Sequence, residues 1–240
     1  MIKYKTYIKA IFFILSIVGL LGFVNHRNGA RKIKEIQVEF EGGDNLYITS
    51  ETVNKMLIQS SGNIKNQSKE NLFLRVLEQR VEENEMIENA EVYLTIDGVL
   101  KTRVLQRKPI ARIAVNAKSY YIDRQGKKMP LSKNYSARVP IVEGVTSAED
   151  LELVYQFVKK VLENEFMKKQ IIGISINSKQ EFTLKTRMGS QLIEFGKLEK
   201  VKIKIKKLKA FYQKVIKDKT LKKYRKINLE YNKQVVCTNK

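Results

Sequence analysis

The stretch Val92–Val104 (VYLTIDGVLKTRV) predicts a β-hairpin. Core-facing positions alternate with polar ones on both sides of Asp97-Gly98, namely Val92, Leu94 and Ile96 before it and Leu100, Thr102 and Val104 after it. This period of two residues is typical of a half-buried strand. Asp-Gly between two alternating runs is the strongest short signal for a tight hairpin turn. The sequence therefore predicts two antiparallel strands here.

Upstream of this hairpin the sequence predicts one strand and two helices. The first strand alternates apolar and polar residues at Ile36, Val38 and Phe40, before the break at 42–44. A helix begins after Thr49, a residue type that caps helix N-termini, and its apolar face is Val53, Met56 and Leu57. A second helix carries apolar residues three and four apart, namely Leu72, Phe73, Val76, Leu77 and Val81. The predicted order is β-α-α-β-β over residues 33 to about 107.

The N-terminus predicts a membrane anchor. Ala10–Val24 (AIFFILSIVGLLGFV) contains no charged residue. A spanning helix needs about 20 residues, and counting from Tyr7 with Lys9 reaching back to the surface gives about eighteen. A cleaved secretory signal, with its apolar region of about 7–15 residues, is the alternative. Because Gly22–Asn25 lacks a small-x-small cleavage pattern, we favour an uncleaved anchor.

Charge counting does not decide the orientation of this anchor. Three lysines precede the span, and Arg27, Arg31, Lys32 and Lys34 follow it. We expect the short tail of residues 1–9 to stay in the cytoplasm and the bulk of the chain to be extracytoplasmic. The single cysteine, Cys237, excludes a disulfide framework, and one His with one Cys cannot build a Cys/His zinc site.

The net charge of +21 first suggests a nucleic-acid-binding protein. However, 35 of the 46 basic residues are Lys and only 11 are Arg, and there is no Trp. Proteins that read bases rely on the planar guanidinium of Arg and on exposed aromatic side chains. We therefore interpret the charge as a Lys-rich solvated surface and expect no nucleic-acid partner.

Residues 197–226 hold a large share of the positive charge, with thirteen Lys and one Arg against Glu199 and Asp218. Apolar residues recur at helical spacing, namely Leu198, Val201, Ile205, Leu208, Phe211 or Tyr212, and Val215. The segment predicts an amphipathic helix with a basic outer face. Three interpretations remain open: a helix packed on a sheet with a solvated face, attraction to anionic lipid head groups, or binding of nucleic acid.

The second half of the chain predicts a β-rich domain. We expect strands at Tyr120–Asp123, Ile171–Ile176, Phe182–Thr186 and Gln191–Phe195, with turns at Gly126 and Met188-Gly189. A helix begins at Ser147–Asp150, where acidic residues favour the helix N-terminus. Its apolar stripe is Val154, Phe157, Val158, Val161 and Leu162.

The order of these motifs resembles the FtsQ/DivIB family of cell division proteins. A β-α-α-β-β unit just outside one anchor looks like a POTRA domain. The segments that extend the resemblance along the chain are Arg107–Ala111, Tyr120–Lys127, Val139–Gly144 and Ile227–Tyr231.

This resemblance implies an α+β architecture in four parts. They are a cytoplasmic tail (1–9), a transmembrane helix (10–26), a POTRA domain (33–107) and a β domain (108–240) with an antiparallel sheet and flanking helices. It also implies a non-enzymatic, single-pass protein of the cytoplasmic (inner) membrane at the division septum. There it recruits partners of the FtsB and FtsL type and helps to control septal peptidoglycan synthesis.

The last strand is the predicted partner-binding site. Ile227, Leu229 and Tyr231 alternate with polar residues, and 234–237 continues extended. A terminal strand with unpaired backbone groups is a template for a partner's strand. In the family this strand looks like the FtsB docking edge, and the matching residues here are Tyr231, Asn232, Lys233, Gln234, Val235 and Val236. Lys233 and Gln234 depart from the smaller residues common in the family. A separate function, binding of polyanions or lipid head groups by the basic helix 197–226, is the alternative.

The residue inventory predicts no catalytic, cofactor or metal site. The five aspartates are dispersed, mostly at turns or helix starts, where they cap backbone groups, and they are Asp44, Asp97, Asp123, Asp150 and Asp218. No glycine-rich phosphate loop or Ser/His/Asp arrangement is present. We expect no cofactor and no small-molecule substrate.

Overall fold

The computed structural model describes residues 2–29, 33–42, 45–61, 73–115, 118–232 and 234–240. The chain divides into two compact units, Met1–Gln106 and Arg107–Lys240. Both mix helices with strands, and the second contains the large sheet. The predicted α+β class is therefore confirmed.

The first unit begins with helix α1, Ile2–Gly29. Its segment Tyr7–Val24 has a mean hydropathy of 2.3 and is entirely exposed. A predominantly apolar segment of 18 residues, in which Lys9 is the one charged residue, is long enough for a helix to cross a bilayer. Within the described residues this is the one helix long and apolar enough to do so, as expected for a single-pass membrane protein.

The remainder of the first unit has the predicted β-α-α-β-β order. Its elements are β1 (Glu35–Phe40), α2 (Ser50–Ser61), α3 (Leu74–Glu82), β2 (Ile87–Leu94) and β3 (Val99–Gln106). The sheet order is β1-β3-β2, with β1 parallel and β2 antiparallel to β3. The two helices supply the long connection that places β1 beside β3.

One core joins the helices of this unit to its sheet. The Thr52 N–H donates to Thr49 Oγ1 at 3.3 Å, which confirms the predicted cap at the start of α2. The helices and strands contribute fully buried apolar side chains, which include Val53, Leu57, Leu77, Val81, Ile87, Leu100 and Val104. Burial of one face of each element explains the periodicity seen in the sequence.

Three apolar residues of this unit do not lie where their spacing predicted. Ile96 is 80% exposed because it lies in the turn, where the Thr95 N–H donates to the Val99 carbonyl. Phe73 and Val76 are 73% and 54% exposed, since the face of α3 that packs against the core carries Leu74, Leu77 and Val81. Leu72 lies outside the described residues.

The second unit is built on one nine-stranded sheet. Its elements in chain order are β4 (Pro109–Val115), β5 (Lys118–Asp123), β6 (Lys128–Met129), β7 (Ile141–Glu143), α4 (Ala148–Leu162), α5 (Glu165–Gln170), β8 (Ile171–Ile176), β9 (Phe182–Thr186), β10 (Leu192–Gly196), α6 (Val201–Lys217), β11 (Tyr224–Asn228) and β12 (Val236–Asn239). The strand order is β12-β11-β10-β9-β8-β7-β4-β5-β6.

The large sheet is mixed, whereas an antiparallel sheet was expected. Five neighbouring pairs are antiparallel, but β4–β7, β7–β8 and β10–β11 are parallel. Parallel neighbours need a crossover connection. Helices α4 and α5 make the connection between β7 and β8, and α6 makes it between β10 and β11. Each helical crossover returns the chain to the end of the sheet where the preceding strand began. The next strand therefore runs parallel to it, whereas a hairpin would make the two strands antiparallel.

The crossover helices share a core with the sheet. Phe157 of α4 lies 4.6 Å from Phe182 and 4.9 Å from Phe195, measured between ring centroids. Helix α6 buries Ile205, Leu208, Tyr212 and Val215. The predicted helix of 197–226 is therefore shorter than expected: it covers 201–217, a 3-10 turn follows at Leu221–Lys223, and β11 begins at Tyr224.

Candidate partner-docking edge

Strand β12 forms one edge of the nine-stranded sheet. It pairs antiparallel with β11, with Asn228 opposite Val236 and Ile227 opposite Cys237. The opposite edge is β6, which has only two residues. An edge strand carries a row of backbone groups on which another strand can pair. The C-terminus of the chain therefore provides the longer of the two edges.

The predicted site residues lie in the β11–β12 connection and at the start of β12. Tyr231 and Asn232 form a bend, Gln234 and Val235 precede the strand, and Val236 opens it. Lys233 lies outside the described residues. The expected single extended run from 227 to 237 is thus a hairpin, because β12 folds back on β11 instead of continuing it.

Burial separates the described site residues into two groups. Tyr231 is 51% exposed and Val236 is 37% exposed, while Asn232 and Gln234 are also exposed. Val235 is partly buried and packs against the core together with Cys237. Burial raises the pKa of the Cys237 thiol, so this thiol is weakly nucleophilic. The side chains exposed on the surface that a partner could contact are those of the first group.

The backbone of β12 alternates between β11 and the open edge. The Lys240 N–H donates to the Lys223 carbonyl at 3.0 Å, so residue 240 faces β11. In an antiparallel ladder the direction of the backbone groups reverses at each residue. Thr238 and Val236 therefore also face β11, and the N–H and C=O groups of Cys237 and Asn239 point to the open edge.

Lys207 of α6 and Lys200, the residue just before this helix, hold the turn that precedes β12. Lys207 Nζ donates to the Leu229 carbonyl at 2.8 Å and to the Tyr231 carbonyl at 2.5 Å. Lys200 Nζ donates to Asn232 Oδ1 at 2.9 Å. Burial, and secondarily the charge of Lys200, lowers the pKa of Lys207. The sequence analysis did not predict this role of Lys207. Its position in the helical pattern is the same whether its side chain binds carbonyls or is solvated.

Another lysine of α6 lies inside the fold. Lys204 is only 7% exposed; its Nζ donates to the Lys197 carbonyl at 2.8 Å and lies 4.9 Å from the centre of the Phe195 ring. Burial lowers the pKa of Lys204, and the nearby Glu230 opposes that shift. A Cβ atom at Gly196 would lie 2.6 Å from Cγ of Glu230. The segment that follows β11 is therefore packed against the end of β10.

Side chains on β10 and β11 order the sheet surface next to the edge. Glu194 accepts a hydrogen bond from Lys226 Nζ at 2.6 Å and from Asn228 Nδ2 at 3.0 Å. The Leu229 N–H donates to the Glu194 carbonyl at 2.9 Å. These contacts tie β10 to β11, the strand on which β12 rests. The edge is therefore supported by a fixed pair of strands.

A cleft of about 770 Å³ in the second unit lies away from this edge, at the start of α4. Asp150 Oδ2 accepts from the Thr146 N–H, the Thr146 hydroxyl and the Ser147 N–H. These bonds lower the pKa of Asp150, so the carboxylate is used for helix capping. Within the described ranges no three His, Cys, Asp or Glu residues are grouped to hold a metal ion.

Comparison with known proteins places both units in described families. Residues 31–105 match a POTRA-like domain. Residues 108–238, more than half of the chain, match the family model described as FtsQ/DivIB, C-terminal related. A search of curated proteins found no match. The open C-terminal edge strand and the apolar N-terminal helix accompany these matches, and the chain belongs to the FtsQ/DivIB family of non-enzymatic cell division scaffolds.

Proposed function

We propose that this protein recruits division proteins of the FtsB and FtsL type, and that a partner strand adds to β12. The observation that carries this proposal is the open edge, to which the backbone groups of Cys237 and Asn239 point. Tyr231 and Val236 stand exposed beside it. Strand addition uses backbone hydrogen bonds for affinity and neighbouring side chains for specificity.

The short length of β12 limits the binding free energy that its backbone hydrogen bonds can contribute. Two outward-facing residues offer two N–H donors and two C=O acceptors, and each hydrogen bond adds about 0.5–1.5 kcal/mol net. Four such bonds sum to about 2–6 kcal/mol, which is less than a micromolar complex requires, about 8 kcal/mol. The exposed side chains of Tyr231, Gln234 and Val236 must therefore supply the remainder. Aromatic anchors such as Tyr231 are enriched among residues that dominate interfaces.

The proposal includes a location at the division septum, with residues 1–9 in the cytoplasm and the POTRA and β domains outside the inner membrane. A short tail before an apolar span supports this orientation, as does the membership of the family. Recruitment of its partners at that position would let the protein help to control septal peptidoglycan synthesis. The orientation is tested by fusing, after Lys240, a reporter enzyme that is active only outside the cytoplasm. We expect the fusion to be active, and an inactive fusion would contradict the proposed orientation.

Partner capture tests the docking edge. The full chain in detergent is used to capture the extracytoplasmic segment of the FtsB-type protein from the same organism. Asn239→Pro removes an outward-facing N–H while leaving the bonds to β11, and Val236→Glu places a charge on the exposed start of the strand. We expect each change to weaken binding at least tenfold.

The matched control is Ile172→Glu, which places the same charge on an apolar side chain that is 43% exposed on β8. This variant is expected to bind the partner normally. All variants should unfold at the temperature of the unchanged protein. Unchanged capture by both Asn239→Pro and Val236→Glu would show that the partner does not use β12.

A further inference from the structure

Helix α6 carries a straight stripe of lysines on the side away from the core. The stripe is defined by Lys202, Lys206, Lys209 and Lys217, with Gln213 between the last two. All five are exposed, and their spacing of three and four residues places them on one helix face. From Lys202 to Lys217 the stripe is about 22 Å long at 1.5 Å per residue.

Nothing in the described part of the chain neutralises this stripe. Every ion pair there involves other residues, and none of the four lysines has a carboxylate within 4.0 Å. Lys219, Lys222 and Lys223 extend the exposed positive charge beyond the end of α6. The stripe differs from Lys207, which donates to the backbone carbonyls of Leu229 and Tyr231 in the β11–β12 turn.

Two exposed isoleucines flank the stripe. Ile203 is 53% exposed on one side of it and Ile216 is 48% exposed on the other. The opposite face of the helix is already packed, through Ile205, Leu208 and Tyr212. Helix α6 is therefore unable to insert an apolar face into a bilayer, but it can lie flat at head-group level with two aliphatic side chains at the boundary.

The chemistry of the stripe favours an anionic lipid surface. Lysine is a compact point charge on a flexible stem, which suits many mobile phosphates. No arginine or aromatic ring is exposed along 202–217, whereas proteins that bind single-stranded nucleic acid combine charge with stacking platforms. The chain also carries its own membrane span. That span keeps the stripe tethered near a bilayer, and tethering strengthens a weak second contact.

We propose that the lysine stripe of α6 docks on membrane surfaces that contain anionic phospholipids. The contact is electrostatic, separate from the strand edge, and adds a second attachment to the bilayer besides α1. Each lysine near an anionic surface strengthens binding about fivefold, so four together amount to about 600-fold. Salt should weaken the contact, because the screening length falls from about 10 Å at 0.1 M to 3 Å at 1 M.

Co-sedimentation in trans tests this proposal. The full chain is reconstituted in nanodiscs of phosphatidylcholine and mixed with sucrose-loaded vesicles. One vesicle set contains 30% phosphatidylglycerol and the other only phosphatidylcholine. We expect the protein to sediment with the first set at 0.1 M salt, to remain in solution with the second, and to be released at 1 M salt.

Two charge-reversal variants identify the surface responsible. Lys202, Lys206, Lys209 and Lys217 are all changed to Glu in the stripe variant, which should lose sedimentation. In the control variant the same change is made at exposed lysines elsewhere in the second unit, namely Lys127, Lys133, Lys169 and Lys179. The two variants have equal net charge, so a general loss of positive charge affects both alike. The control should retain most of the binding.

Three results would overturn the proposal. The first is a wild-type chain that stays in solution with phosphatidylglycerol vesicles, and the second is an equal loss in both variants. The third is binding of soluble polyphosphate without binding of the vesicles, which would show that the stripe binds a flexible anionic polymer and not a membrane surface. Partner capture at β12 is measured with the same variants, so the two proposals succeed or fail independently.

Discussion

At the residue scale, the buried ion pair between Arg107 and Asp123 stabilises the start of the second unit. Arg107 Nη1 lies 2.7 Å from Asp123 Oδ2, and the two side chains are 11% and 1% exposed. Asp123 Oδ1 also accepts the N–H groups of Gln125 and Lys127, each at 2.8 Å. One aspartate thus connects the first residue of the unit to the turn after β5.

Arg107→Ala is expected to destabilise the second unit by about 3 kcal/mol, because it leaves the Asp123 carboxylate buried without its cation. The measurement is denaturant unfolding of the detergent-solubilised chain. Lys160→Ala serves as the control, since Lys160 and Glu163 pair with both side chains about half exposed and such pairs contribute less than about 1 kcal/mol. Equal effects of the two changes would contradict the assigned role of Arg107.

Asp150 makes the stability of the second unit depend on pH in the acid range. Its pKa is lowered by hydrogen bonds from the Thr146 N–H and hydroxyl and from Ser147. A lowered pKa means that the stabilisation is complete above the unfolded value, about 3.9 for Asp, and is lost as the pH falls through the folded value. The unfolding temperature of the unchanged chain should therefore fall below about pH 4.

Asp150→Asn tests this assignment, since an amide does not titrate there. The variant is expected to be less stable than the unchanged chain at pH 7 and to lose less stability between pH 4 and pH 2. Thermal unfolding is measured at a series of pH values, and the dependence of the unfolding temperature on pH is compared between the variant and the unchanged chain. Parallel curves for the two proteins would show that other carboxylates cause the acid dependence.

At the element scale, the lysines of α6 lie on two sides of the helix that have different surroundings. Lys207 holds the carbonyls of Leu229 and Tyr231, whereas the stripe from Lys202 to Lys217 faces solvent. The helix therefore supports the β11–β12 turn and also presents positive charge. One lysine of this basic segment therefore supports the candidate docking site, while the lysines of the stripe remain in solvent.

Lys207→Met is expected to loosen the β11–β12 turn, because it removes both carbonyl contacts while retaining the aliphatic stem. Amide hydrogen exchange at Tyr231 and Asn232 should become at least tenfold faster. Lys206→Met is the matched control, because Lys206 is adjacent and exposed, and it should leave the exchange rates unchanged. Unaltered exchange in Lys207→Met would show that the turn holds its shape without α6.

Periodicity and turn residues were enough to predict many of the elements, but not β4, β7 or α5. The hairpin around Asp97-Gly98, the Thr49 cap and the buried stripe of α4 all depend on local patterns. Pairing between distant strands is not local: nothing within 224–239 indicates that β12 folds back on β11 to form the sheet edge. The carbonyl contacts of Lys207 arise only after α6 and β11 meet, so periodicity classed it with the solvated lysines.

At the scale of the whole molecule, the candidate docking edge and the lysine stripe lie on different elements. The net charge of +21 first suggested nucleic acid, but its exposed lysines in α6 form a stripe on the surface. The candidate docking edge depends instead on backbone groups of Cys237 and Asn239, which no composition count detects. Membership of the FtsQ/DivIB family and one membrane-length apolar helix among the described residues fit a membrane-anchored division protein.

Amide hydrogen exchange with and without partner tests the docking edge most directly. The full chain is compared free and bound to the extracytoplasmic segment of the FtsB-type protein, with single-residue resolution at 236–239. The N–H groups of Cys237 and Asn239 face the open edge and should exchange quickly in the free protein, then become strongly protected in the complex. Thr238, already bonded to β11, should be protected in both states. A complex in which the amides of Cys237 and Asn239 still exchange quickly would contradict strand addition at β12.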